Sequence, residues 1–169
     1  MFKRLSIYIT FVLTLSNCMD FAIAQTTAGA IESPVNIVRQ LYRPYVTDLP
    51  PPDSLSLIAH VAPPHLKLLI LRDEACQAQT QGICRIDFDP IVAAQDFDFR
   101  EKYPEFQEQK TRSGSLVTAK FRFANDAFYP EASVYYDFIF DGRRWLINDI
   151  RGKMSPESYD LVKILSEKF

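Results

Sequence analysis

Between Gly114 and Ile150 the chain carries its clearest alternation of apolar and polar positions. Val117, Ala119, Phe121 and Phe123 alternate with Thr118, Lys120 and Arg122, the period of a half-buried strand. Val134, Tyr136, Phe138 and Phe140 alternate in the same way with Tyr135, Asp137 and Ile139. Asp141–Gly142 follows as a two-residue hairpin signal. A third run then places Trp145, Ile147 and Asp149 on one face and Leu146, Asn148 and Ile150 on the other. The pattern predicts an antiparallel meander whose last pair takes its register from the Asp–Gly turn. Phe106 to Lys110, preceded by Pro104 and charged residues, predicts an edge strand.

Upstream the period changes to that of helices. Ser33–Pro34 offers a capping hydroxyl and a proline whose missing N–H costs nothing at a first turn. Val38, Leu41, Tyr42 and Tyr45 then fall on one helical face. Pro44 disfavours helix at Arg43, so the helix should stop near Tyr42 and leave Tyr45 in an extended exit. Pro50 to Pro52 form a stiff connector. Asp53 or Ser54 can cap a short helix bearing Leu55, Ile58 and Val61. Pro63–Pro64 starts another, with Leu66, Leu69, Ile70 and Asp73 on one face. Leu68 and Leu71 widen that stripe and predict a helix covered on more than one side. Asp89 caps, and Pro90 opens, one or two helical turns through Ala94. After Gly152, Ser155–Pro156 predicts a last helix with Leu161, Val162, Leu165 and Phe169 on its apolar face. Helices, then strands, then a helix predict one α+β domain over residues 33–169, with helices packed on one face of an antiparallel sheet.

The first 24 residues read differently. Lys3 and Arg4 precede a mostly apolar run from Leu5 to Leu15, and Ala22-Ile23-Ala24 supplies small residues before Gln25. This is the pattern of a cleaved signal peptide over residues 1–24, and it predicts a periplasmic or secreted protein. The apolar run is short for a bilayer span of about 20 residues. Lipidation at Cys18 is the rival reading, with Asn17 a poor fit to the small residue wanted before the cysteine.

Cys76 and Cys84 bracket the polar loop QAQTQGI. In an oxidising compartment so close a pair reads as a disulfide. The spacing is not Cys-x-x-Cys and no histidine adjoins it, which disfavours redox and zinc chemistry. His60 and His65 flank the Pro63–Pro64 break and read as helix-end residues, because no acidic partner stands at a fixed local spacing. The formal net charge of −2 provides no basic surplus for nucleic acid. With five glycines, none in a phosphate-loop or dinucleotide pattern, no motif calls for a cofactor.

Asp149 is the residue with chemistry to weigh. On the face of Trp145 and Ile147 it is either raised in pKa by burial or held ionised by a partner. As a general base it would need a hydrogen-bond donor such as Tyr135 or Tyr136 for a developing oxyanion. As a fastener it would accept backbone N–H groups or pair with Arg151 or Arg100. The second reading groups it with Asp89, Gln95 and Asp96 as a structural polar cluster, with no assigned catalytic residue.

Two pieces of the chain, FDPIVAAQD from Phe88 and GRRWLINDI from Gly142, resemble the YbjP-like family of bacterial periplasmic proteins and lipoproteins. The resemblance runs from about Pro34 to the end. It implies a nuclear-transport-factor-2-like (cystatin-like) cone, an envelope location and an accessory role beside envelope proteins. It carries over no catalytic residues. The functional expectation is therefore a non-enzymatic envelope module that binds a protein or an apolar small ligand. The alternatives are an isomerase- or dehydratase-like enzyme built on Asp149, and an immunity-type inhibitor of an envelope toxin. Leu116, Tyr135 and Ile139, on the less apolar strand faces, mark a candidate interaction surface, with homodimerisation through the sheet as a further route.

Overall fold

The computed structural model describes residues 31–46, 53–95, 104–122, 132–154 and 157–168. The expected signal peptide over residues 1–24 with Cys18, the Pro50–Pro52 segment, Asp96, Arg100, Phe123, Ser155–Pro156 and Phe169 lie outside these residues. α1 (Pro34–Tyr42) begins as its sequence requires: Ser33 stays extended and its side chain accepts the N–H of Asn36. α2 (Ser54–Val61) is capped by Asp53, which accepts the N–H of Ser56. α3 (Pro64–Thr80) starts at the second proline of its pair and ends at Gln81 in the left-handed region, φ 52°. A disulfide joins Cys76 to Cys84 just beyond. Closing so short a loop contributes roughly 2–3 kcal/mol in the chain-entropy picture.

β1 (Glu105–Lys110), β2 (Ser115–Phe121), β3 (Ala132–Phe140), β4 (Trp145–Met154) and β5 (Glu157–Asp160) form one antiparallel sheet in sequence order, and α4 (Leu161–Ser166) follows. The architecture is α+β. Val117, Ala119, Phe121, Val134, Tyr136, Phe138, Ile147 and Ile150 give the sheet one buried face. It shares a single core with Ile37, Val38 and Tyr42 of α1, Ile58 of α2, Leu66 and Ile70 of α3, and Leu161 and Leu165 of α4. β1 is the expected edge strand, mostly exposed and charged.

Several local expectations are corrected. Tyr45 does not leave α1 in an extended exit; Arg43–Val46 form a 3-10 turn that buries it. Arg43 keeps helical angles, its N–H bonded back to Arg39 and Gln40, so tertiary packing overrides the bias that Pro44 imposes. α3 is packed on one stripe among the described residues. Leu66, Ile70 and Asp73 are buried, while Leu68 and Leu71 are 53% and 52% exposed. Asp89 to Ala94 is a closed turn in place of the expected helical turns, with an antiparallel bridge between its ends and Ala93 at φ 57°. A left-handed residue so soon after Pro90 stops helical propagation.

In the last hairpin the turn is centred one residue later than Asp141–Gly142. Asp141 N–H donates to Arg144 O, its carboxylate accepts the N–H groups of Arg143 and Arg144, and Gly142 takes φ 94°. Phe140, counted on the buried face, is 43% exposed at the strand's end. β4 runs on past Gly152 to Met154 and pairs with β5, so Glu157–Asp160 is strand where the Ser155–Pro156 signal predicted helix. Gly152 explains the pairing, because a Cβ there would lie 1.9 Å from the ring of Tyr159. The bare backbone lets that ring lie directly on the strand.

Candidate functional site

The Asp89–Ala94 turn is held by four tyrosine hydroxyls on three consecutive residues. Tyr45, in the 3-10 turn after α1, donates to Asp89 Oδ2 at 2.6 Å. Tyr159 of β5 donates to the carbonyl of Pro90. Tyr42 of α1 donates to the carbonyl of Ile91 at 2.5 Å, and Tyr136 of β3 reaches the same oxygen at 3.1 Å. Tyr136 also lies 3.2 Å from the Tyr42 hydroxyl. Three parts of the fold thus converge on one turn. Buried hydroxyls need partners, and a turn exposes carbonyls that regular structure would have used.

Asp89 is satisfied twice over. Oδ1 accepts the N–H of Ile91 at 2.8 Å, so the side chain caps its own turn. Burial pushes its carboxyl above the usual aspartate range, and the hydroxyl of Tyr45 and the N–H groups of Ile91 and Val92 pull it back only in part. Burial likewise drives the Tyr42, Tyr45, Tyr136 and Tyr159 phenols upward, so all four remain neutral donors.

Beside this turn is a half-open cavity of about 310 Å³, lined by Asp87, Phe88, Ala93, Ala94, Gln95, Ser158 and Tyr159. Phe88 and Tyr159 meet with ring centres 4.8 Å apart. Gln95 Nε2 donates to the carbonyl of Asp87, tying the two ends of the segment together. The lining has acceptors and ring surface, but no nucleophile hydrogen-bonded to a base among the described residues.

Asp149 stands elsewhere. Asp137 pairs with Asp149 and Phe138 with Ile147, so Asn148 is the extra residue of a β-bulge. The bulge returns Ile150 to the core face and turns Asp149 to the face of Asp137, opposite to the expected placement with Trp145 and Ile147. Its Oδ1 accepts the N–H of Ile150 at 2.8 Å and of Val162 at 3.1 Å. Asp160 accepts the next N–H, Lys163, at 2.8 Å, so two carboxylates hold the first turn of α4. Burial raises the Asp149 carboxyl, the Val162 N–H lowers it, and neighbouring Asp160 and Asp137 raise it further. Arg151, offered by the sequence as its partner, instead pairs with Asp137 at 2.7 Å. Tyr136 is on the core face and spent on Ile91; Tyr135 shares the outer face with Asp149 but sits beside Arg151 in the pairing, with no hydrogen bond to Asp149 among the described residues. Neither supplies Asp149 with an oxyanion donor.

The expected polar cluster is therefore divided, with Asp89 and Gln95 at the turn and Asp149 at α4. Leu116, Tyr135 and Ile139 do share the sheet face away from the core, each half-buried. His60 and His65 are exposed, with His60 Nδ1 2.8 Å from Ser56 O. Among the described residues no group of three or more His, Cys, Asp or Glu could hold a metal ion. Sequence reading missed the tyrosine clamp, although tyrosine in place of phenylalanine at core positions signals a hydroxyl with a task. It placed Asp73 on the apolar face of α3 without a partner; fully buried there, Asp73 accepts the N–H of Arg85 at 3.0 Å and pairs with its guanidinium at 3.5 Å. An aspartate in an apolar helix stripe was the available signal.

Comparison with protein-family models, with curated proteins and with solved structures found no match for this chain.

Proposed function

We propose that the protein is an exported, non-enzymatic binding module of the bacterial envelope, related to the YbjP-like proteins and built on a nuclear-transport-factor-2-like cone. The observation that carries this reading is the cavity of about 310 Å³ beside the clamped turn, near the lower end of the roughly 300–1,000 Å³ range of ligand sites. It adjoins the FDPIVAAQD segment on which the family resemblance rests, and its walls are fixed by hydroxyls from distant elements. The leader-like first 24 residues and the disulfide agree with export.

The test is recovery of the mature protein from its own envelope extract under native conditions. Mass spectrometry of the intact protein is expected to reveal a retained small molecule, and displacement by a Ser158→Phe substitution would assign it to the cavity. A protein partner cross-linked through Leu116, Tyr135 and Ile139, with an empty cavity, would move the function to the sheet face.

A second reading makes Asp149 a general base, and its upward-shifted carboxyl favours that. The two N–H groups on its Oδ1 favour a fastener instead. Asp149→Asn with folding spared and a catalytic activity abolished would establish the enzyme.

A further inference from the structure

We propose that the cavity takes an organic ammonium ion, an amine carried on a short apolar stem or single ring. The proposal rests on the ligand-binding reading above and adds the chemistry of the ligand. Its polar lining residues are Asp87, which carries a carboxylate, Ser158, whose hydroxyl can donate or accept, and Gln95, whose amide nitrogen is used on the Asp87 carbonyl and whose oxygen is left for a donor. No lysine, arginine or histidine lines the cavity among the described residues. An anionic ligand would meet Asp87 with no lining cation among the described residues to offset it, a repulsion moderated by solvent because Asp87 is exposed.

The apolar lining agrees with the same class. Tyr159 spends its hydroxyl on the carbonyl of Pro90, so what it contributes to the wall is its ring, in contact with that of Phe88. Aromatic faces beside a carboxylate attract a cation through both the ring quadrupole and the formal charge. The methyl groups of Ala93 and Ala94 leave room for a stem. The volume suits one ring or a few methylenes and is too small for a lipid chain.

The site is also built to hold its shape. Ala93 is kept at φ 57°, which costs a non-glycine residue of order 1–2 kcal/mol. The Asp89–Ala94 bridge and the tyrosine hydroxyls hold it there. Such preorganisation lowers the ordering cost of binding.

The experiment titrates the mature protein with three probes of one shape: benzylamine, benzyl alcohol and benzoate. Binding is read from the backbone amide shifts of Ala93, Ala94, Ser158 and Tyr159. Benzylamine is expected to bind roughly three- to tenfold more tightly than the alcohol, and benzoate more weakly than either. Asp87→Asn, at an exposed position, should abolish the preference for the amine with unfolding unchanged, and Ser158→Phe should block all three probes. Equal or tighter binding of the alcohol or benzoate overturns the ammonium class and leaves the binding reading standing. An undiminished amine preference in Asp87→Asn also overturns it. No shift with any probe in a folded wild-type protein overturns both.

Discussion

Tyr45 and Asp89 lie 44 residues apart in the chain and meet hydroxyl to carboxylate at 2.6 Å. The contact joins the end of the first helix to the turn that walls the cavity. Tyr45→Phe removes a donor from a largely buried carboxylate and is expected to cost about 1–3 kcal/mol in urea unfolding. Adding Asp89→Asn should then cost less than it does in the wild type, because the two residues act on one bond. Strict additivity in that double-mutant cycle would show that the bond contributes nothing.

Gly152 is predicted to be intolerant of even one added carbon. Its Cβ would fall 1.9 Å from the Tyr159 ring, so Gly152→Ala must displace the ring that holds Pro90. The expected loss is roughly 1–3 kcal/mol, typical of overpacking. The same substitution made with Tyr159→Leu should cost much less, since the obstructing ring is gone. A similar cost in both backgrounds would place the strain elsewhere.

Asp149 gives a pH-dependent prediction. Burial first, with Asp160 and Asp137 adding to it, holds its carboxyl above the unfolded value, and the N–H groups only partly offset this. A raised folded-state pKa contributes stability that is fully present below the unfolded value near 3.9 and is lost as pH rises through the folded value. Asparagine retains an accepting oxygen without this loss. The Tm of Asp149→Asn minus that of wild type should therefore become more positive from about pH 4 to pH 7. A difference that stays flat, or runs the other way, in thermal scans at matched ionic strength would refute the shift.

Arg85 and Asp73 supply a test of the disulfide-side anchor. Asp73 is fully buried, and Arg85 also donates from Nε to the carbonyl of Glu167 beyond α4. Arg85→Met removes the charge partner and leaves the buried carboxylate only the residue-85 N–H and the Gln77 amide, which should cost roughly 3–5 kcal/mol. Arg85→Met with Asp73→Leu should recover much of that loss, because two apolar groups leave no buried charge. Chemical denaturation of the single and double variants separates a stranded charge from simple loss of packing.

Much of this architecture was legible in the chain. Ser33–Pro34, Asp53 and Pro63–Pro64 act locally, through capping and a fixed φ, and their helices begin where those signals stand. Val117, Ala119, Val134, Tyr136 and Phe138 alternate because a strand's side chains must, and all are buried. The site was less legible. Asp89, Gln95 and Asp149 were visible as polar residues near apolar ones, but nothing local divides the first two from the third.

The sequence by itself determined the three helices that precede the sheet, the order of its first four strands, the apolar face of the meander and the pairing of Cys76 with Cys84, since each rests on a periodicity, a local cap or a short loop. Only the tertiary structure decided the bulge at Asn148, the strand Glu157–Asp160 and the convergence of Tyr42, Tyr45, Tyr136 and Tyr159 on three residues of one turn. The tyrosine contacts span 44 to 69 residues, where hydrogen bonds and ring packing outweigh local propensity.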